Sequence, residues 1–214
     1  MNTYIREPIN GLTHLAGAIF SYFALLAMVI KSSPSHSTIG ILSVILFGTS
    51  LILLYAASAT YHMVIAKDHV LAFLRKIDHS MIFVLIAGTY APFCLITLNG
   101  TIGWILFSVI NVVAILGVIF KLVWFHSPRW LSTGLYIAMG WMVIVVISPL
   151  SSLLDSNGLL LLIIGGVLYT IGGIIYGAKP KFLETKHLGF HEIFHIFILL
   201  GSLAHFSSVY FYVL

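Results

Sequence analysis

The sequence predicts an all-α integral membrane protein, a bundle of seven transmembrane helices with its N-terminus cytoplasmic and its C-terminus outside. Two observations carry the class. Of 214 residues, 60% are apolar and only 7% are charged. A soluble domain of this size carries about 25% charged residues, so an apolar solvent must surround the chain as well as a core fill it. The few charges also fall in a pattern, with uninterrupted runs free of Asp, Glu, Lys and Arg over 8–30, 32–66, 79–120, 130–154, 156–178 and 193–214. Water-soluble classes are excluded. The formal charge of +4 does not point to nucleic acid, because the placement of the charges matters more than their sum. The single cysteine, Cys94, permits no internal disulfide.

About 20 apolar residues cross the hydrocarbon as a helix, which sets the length of each element. The first, 12–30, is longer than a signal-peptide core and has no convincing cleavage site, so it is read as a retained helix. The second, 39–62, shares its run with a loop. The 42-residue run from 79 is too long for one helix, and Asn99-Gly100-Thr101 near its middle is a turn signal that divides it into 80–98 and 102–124. The remaining runs give 131–150, 159–178 and 189–212. No repeat or low-complexity segment interrupts a single domain over 1–214.

Seven spans put the termini on opposite sides. One side collects Arg6, Lys67, Arg75, Lys76, Lys121, Arg129, Lys179, Lys181 and Lys186, whereas the other holds Lys31 alone. The positive-inside rule makes the first side, with the N-terminus, cytoplasmic.

Polar residues within the spans are then the functional candidates, since each is expensive in lipid. Five of the ten histidines, His14, His62, His191, His195 and His205, fall in or at the edge of a span, while His36, His69, His126 and His187 fall in loops. His62 closes the second helix at the cytoplasmic end. His191 and His195 open the seventh at the same end, the latter about 6 Å deeper at 1.5 Å per residue. Their i, i+4 spacing sets both on one helical face. Two such imidazoles and a third from another helix leave a fourth position open, the pattern of a catalytic zinc centre. Asp78 opens the third helix in this reading, where it either orients a metal-bound water or simply caps the helix. Ser58, four residues before His62, points from the same face into the same region.

The segment His191-Glu192-Ile193-Phe194-His195 also satisfies H-E-x-x-H. No acidic residue follows Glu192 and His205 is not at the metzincin spacing, so a zincin is not expected, and Asp78 ranks ahead of Glu192 as a base. His205, about 15 Å beyond His195, is too far for the same ion. His14 borders the site without being an expected ligand.

Several stretches together bring a family into view: Glu7-Pro8-Ile9-Asn10-Gly11-Leu12-Thr13-His14, Ser58-Ala59-Thr60-Tyr61-His62, Lys76-Ile77-Asp78-His79-Ser80, Ala87-Gly88-Thr89-Tyr90-Ala91-Pro92-Phe93, Ala138-Met139-Gly140-Trp141 and the His191, His195, His205 series. With these the chain resembles the hemolysin III family, the bacterial branch of the progestin and adipoQ receptor superfamily that includes the adiponectin receptors, over nearly its whole length. The resemblance implies His62, His191 and His195 as zinc ligands, Asp78 holding the metal-bound water, Ser58 as the motif serine, and a bacterial plasma-membrane location. Glu192 departs from the residue expected between the two histidines.

Three functions follow as expectations. The first is a zinc-dependent intramembrane hydrolase, ceramidase-like by resemblance, in which Asp78 helps activate water against a lipid amide or ester. The second is a membrane sensor or regulator whose zinc only ties helices together. The third is the pore-forming cytolysin of the family name, against which seven strongly apolar spans weigh, since a released pore-former is soluble before insertion. A transporter is less favoured, because no halves and no deep charge are visible. Membrane lipids are the expected partners. Gly173 and Gly177 form a small-xxx-small pair that can pack another helix or a second copy, a homodimer. Pro92 is expected to kink the third helix.

Overall fold

The computed structural model describes residues 4–33, 37–185 and 188–214. Lys186, His36 and His187, assigned above to loops, lie outside the described residues. Seven helices are long and apolar enough to cross a membrane: α1 Pro8–Ser32, α2 Thr38–Met63, α3 Asp68–Leu98, α4 Gly100–Val123, α5 Arg129–Leu153, α6 Ser156–Ala178 and α7 Phe190–Val213. Among the described residues there is no strand. The chain is a multi-pass cell membrane protein.

Local chemistry sets the helix ends. Pro8 takes the first position of α1, where its missing N–H costs nothing, and Ser37 and Asp155 cap α2 and α6 with their side chains. Asn99 (φ 43°) and Gly100 (φ 65°) adopt left-handed conformations that turn α3 into α4 within one residue, as the dipeptide predicts.

The third helix departs most from expectation. It starts at Asp68, twelve residues before 80, because its first turns carry Arg75, Lys76 and Asp78, which end a charge-free run without ending a helix. Asp78 is therefore not an N-cap; Lys67 occupies that position, and Asp78 lies three turns inside α3 and is buried. After Pro92 the α-ladder relaxes into a π-turn over Phe93–Leu98, the local consequence of a residue with no N–H to donate.

Helix α5 is interrupted by a 3-10 segment, Trp141–Val146. The Tyr90 hydroxyl of α3 holds the break: it donates to the Gly140 carbonyl at 2.7 Å and accepts from the Val143 N–H at 2.9 Å. Backbone groups freed from the helical ladder thus find a partner, as they must in lipid.

Adjacent helices pack in sequence from α1 to α4, α5 lies on α6, α6 on α7, and α7 returns to α1. The buried face of α1 reads Asn10, Gly11, His14, Gly17, Ser21, Met28 and Ser32, small or polar at nearly every turn, while Phe20 and Phe23 point outward at 72% and 60% exposure. That inversion fits helices surrounded by lipid, where close backbone approach and hydrogen bonds drive association. Gly173 and Gly177 do the same within the chain, packing on Thr133 of α5, with Ile137 also against Gly173. Two apolar clusters complete the interior, one around Phe47, Leu51, Tyr55 and Leu150 and one around Phe83, Cys94, Ile110 and Met139.

Gly117 of α4 gives a direct test of this packing, since a Cβ there would meet the ring of the fully buried Phe83, whereas one at Gly134 would meet nothing within 4 Å. Gly117→Ala is expected to destabilise the bundle by about 1–3 kcal/mol, and Gly134→Ala to leave it unchanged or slightly more stable. Thermal unfolding of both variants in detergent, followed by size-exclusion chromatography, reads the difference.

Candidate metal centre

The end of the bundle that carries the N-terminus gathers the polar candidates. Chain direction makes this unavoidable: α2 brings His62 there in its last turn, α7 begins there with His191 and His195 in its first two turns, and α3 carries Asp78 there three turns from its start. One ligand nitrogen from each of His62, His191 and His195 lies within 4.8 Å of the others, and this cluster is able to hold a metal ion. The Nε2 atoms of His191 and His195 are 3.1 Å apart. The His62 ring stands edge-on to both, with centroids at 5.0 Å.

The orientation of His62 is fixed from outside the cluster. Its Nδ1 lies 2.6 Å from Glu7 Oε2, and its Nε2 is buried without a hydrogen-bond partner. Facing a carboxylate, Nδ1 carries the proton, so Nε2 keeps its lone pair directed away from Glu7. A carboxylate behind an imidazole is the arrangement that orients metal-ligating histidines. Burial acts to raise the Glu7 carboxyl, but the hydrogen bond and charge of His62 together with the Arg6 guanidinium outweigh it and hold the group below the ordinary carboxylate range. The segment is further tied down by Arg6, which donates to the Tyr61 carbonyl at 2.6 Å, and by the Glu7 N–H, which donates to the His62 carbonyl at 3.0 Å.

Glu192 does not turn toward the cluster. Its Oε2 accepts the Gly189 N–H at 2.9 Å, capping the start of α7, and its Oε1 accepts from Asn10 Nδ2 at 2.8 Å. The H-E-x-x-H match is therefore a pair of histidines with a capping residue between them. His14 stacks flat on His195, with ring centroids 3.6 Å apart, and both its nitrogens are buried without partners.

A cavity of about 480 Å³ opens beside the cluster, lined by His14, His191 and His195 and by Ser58 and Asp78. His62 backs the cluster and does not line the cavity. Ser58 is the hydrogen-bonding neighbour of Asp78, and His79 Nδ1 lies 3.6 Å from Asp78 Oδ2. Asp78 is not one of the mutually close ligand atoms. The cavity continues into the bundle as far as His205, whose ring lies against Gly165 and beside Tyr169. His205 thus shares the cavity and stays outside the cluster, as its place in α7 requires.

Two groups of residues had escaped the sequence reading. Glu7 has no role assigned from sequence, yet it is the only carboxylate before Asp68 and shares its end of the bundle with His62, the signal that could have paired them. Arg75, Lys121 and Arg129 count toward sidedness, yet all three line the cavity.

Comparison with known proteins agrees with this architecture over its full length. The Haemolysin-III related family matches residues 2–206. The chain is 41% identical to Hemolysin-3 of Bacillus cereus, over 100% of this chain and 95% of that protein, and 39% identical to the Hemolysin-3 homolog of Bacillus subtilis, over 99% and 96%. It is 21% identical to the human Monocyte to macrophage differentiation factor, over 97% of this chain and 90% of that protein. Seven spans, the histidine cluster at one end and these full-length matches together show that the chain belongs to the Haemolysin-III related family.

Proposed function

We propose that the protein is a zinc-dependent intramembrane hydrolase of a lipid amide or ester, with His62, His191 and His195 as ligands and Asp78 and Ser58 as the catalytic pair. The observation that carries this reading is the buried, unpartnered Nε2 of His62, held by Glu7 toward two imidazoles whose own nitrogens converge. Three neutral imidazoles suit zinc, and two nitrogens on one tetrahedral zinc stand about 3.3 Å apart, close to the His191–His195 separation of 3.1 Å. Bound there, zinc would supply a Lewis acid and lower the pKa of water at its open fourth position. The chain's own residues supply the rest. Asp78, buried on the cavity wall, offers the proton-accepting oxygen, and Ser58 fixes that carboxylate from α2. The apolar length of the cavity takes the acyl chain of a membrane lipid and keeps bulk water from it. In this reading the end of the bundle with the histidines faces the cytoplasm, a reading supported by the Lys and Arg residues gathered there.

A second reading, a membrane sensor in which zinc only ties α2 to α7, draws on Asp78 standing outside the ligand cluster. Cytolysis draws only on the names of the family and of its Bacillus relatives.

Two outcomes test the proposal. The purified full chain, given a panel of lipid amides and esters, is expected to turn over at least one of them, with Asp78→Ala lowering the rate by about 10²-fold or more while zinc content is retained. An inactive parent over the whole panel, or an Asp78→Ala variant as active as the parent, contradicts the hydrolase and leaves the sensor. Glu7→Gln is expected to weaken zinc binding by about 10–100-fold in competition with a chelator, and unchanged affinity contradicts the orienting role of Glu7.

A further inference from the structure

The cavity is also lined by three cations, Arg75, Lys121 and Arg129. Lys121, near the end of α4, is buried at 3% exposure, and its ammonium donates to Ser132 and, at 3.5 Å, to Ser127. An ammonium has three N–H donors, so one is left over. Arg75 is its charged neighbour. Arg129, at the start of α5, stacks over Tyr176 at 5.5 Å, and its Nη1 is buried without a hydrogen-bond partner. Among the described residues no carboxylate lies within 4.0 Å of Lys121, Arg75 or Arg129. Among the described residues Asp78 is the one carboxylate lining the cavity, with Ser58 as its hydrogen-bonding neighbour and Arg75 as the cation that acts on it, so Lys121 and Arg129 are the two cations with no carboxylate of their own.

Membrane sidedness alone does not explain this. The positive-inside rule asks for Lys and Arg at the headgroup level, where water solvates them, whereas these groups turn inward onto a common cavity. A buried cation without a counter-charge is costly, and an anionic ligand removes that cost. Arg and Lys together are the usual partners of phosphate oxygens. Deeper in, the wall becomes apolar with Leu85, Phe93, Leu150 and Leu162.

We propose that this cavity selects an anionic lipid, a phosphate headgroup on a single acyl chain, with Lys121 and Arg129 on the phosphate oxygens and the chain along the apolar wall. The inference rests on the reading that a lipid enters the cavity, and it is independent of the metal. It names the headgroup chemistry that the proposed hydrolase admits.

The test uses the full chain in an uncharged detergent, titrated with oleoyl lysophosphatidic acid, with uncharged monooleoylglycerol and with inorganic phosphate, and read by native mass spectrometry. Lysophosphatidic acid is expected to bind at least about tenfold tighter than monooleoylglycerol, and Lys121→Gln and Arg129→Gln each to weaken it by about tenfold while leaving monooleoylglycerol unchanged. Equal binding of the two lipids, or lysophosphatidic acid unaffected by either variant, overturns the proposal. Inorganic phosphate binding as tightly as lysophosphatidic acid also overturns it, by making the ligand a free anion. Size-exclusion profiles identify any misfolded variant, and Arg129, partly exposed at a helix start, provides the variant less tied to the fold. Zinc measured in the same samples separates the two readings: headgroup selection without zinc counts against the hydrolase and supports this site, and zinc without headgroup selection does the reverse.

Discussion

Glu7 and His62 meet at 2.6 Å where the imidazole is buried and the carboxylate reaches it from the partly exposed end of the chain, and the organisation of the N-terminal end of the bundle depends on that contact. A buried imidazole with no partner is costly, so the carboxylate satisfies Nδ1 and in doing so commits Nε2 to the interior. The same short segment then ties α1 to both other elements of the cluster. Asn10 donates to Glu192 at the start of α7, and His14 stacks on His195 one turn deeper. Three helices distant in sequence are locked at one depth by four polar side chains and one ring stack. Any ion held by the three imidazoles completes a structure whose second ring of contacts already exists.

The rest of the bundle follows from the bilayer as solvent. Lipid is as apolar as a leucine side chain, so burying leucine gives little advantage by itself, and the buried face of α1 takes glycine, serine and histidine while Phe20 and Phe23 face outward. Tight α1–α2–α3 packing therefore coexists with a looser seam along α5, whose 3-10 segment is held by Tyr90. The cavity lies along that seam. Histidines, Asp78 and three cations line it together with an apolar wall that includes Leu85, Phe93, Leu150 and Leu162. An amphiphile with a polar head at the mouth matches that distribution of chemistry.

Much of this was legible in the sequence because the bilayer simplifies the code. A charge-free run of about 20 residues reports a span directly, so seven helices and the Asn99-Gly100 turn could be read without tertiary information. The i, i+4 pair His191 and His195 could be matched with His62 for the same reason, since span direction fixes depth. What hydropathy could not show is how far a helix runs beyond the hydrocarbon. The charges that ended the run at residue 79 concealed the first three turns of α3, and with them the fact that Asp78 is buried inside a helix instead of capping one. Contacts between a loop and a distant helix were equally hidden. Glu7 carries no periodic signal, and the role of Glu192 depends on Gly189 and Asn10, which only the folded chain brings to it.

The central claim is that three imidazoles from α2 and α7 share one zinc ion. Zinc K-edge X-ray absorption of the detergent-purified protein, with elemental analysis of the same sample, tests it most directly. About one zinc per chain is expected, bound by three histidine nitrogens and one oxygen at about 2.0–2.2 Å with strong imidazole scattering, with loss of that signal when His62, His191 and His195 are all replaced by alanine in a chain that still elutes as folded. A sulfur ligand, a site without imidazole scattering, or equal zinc in parent and variant would contradict it.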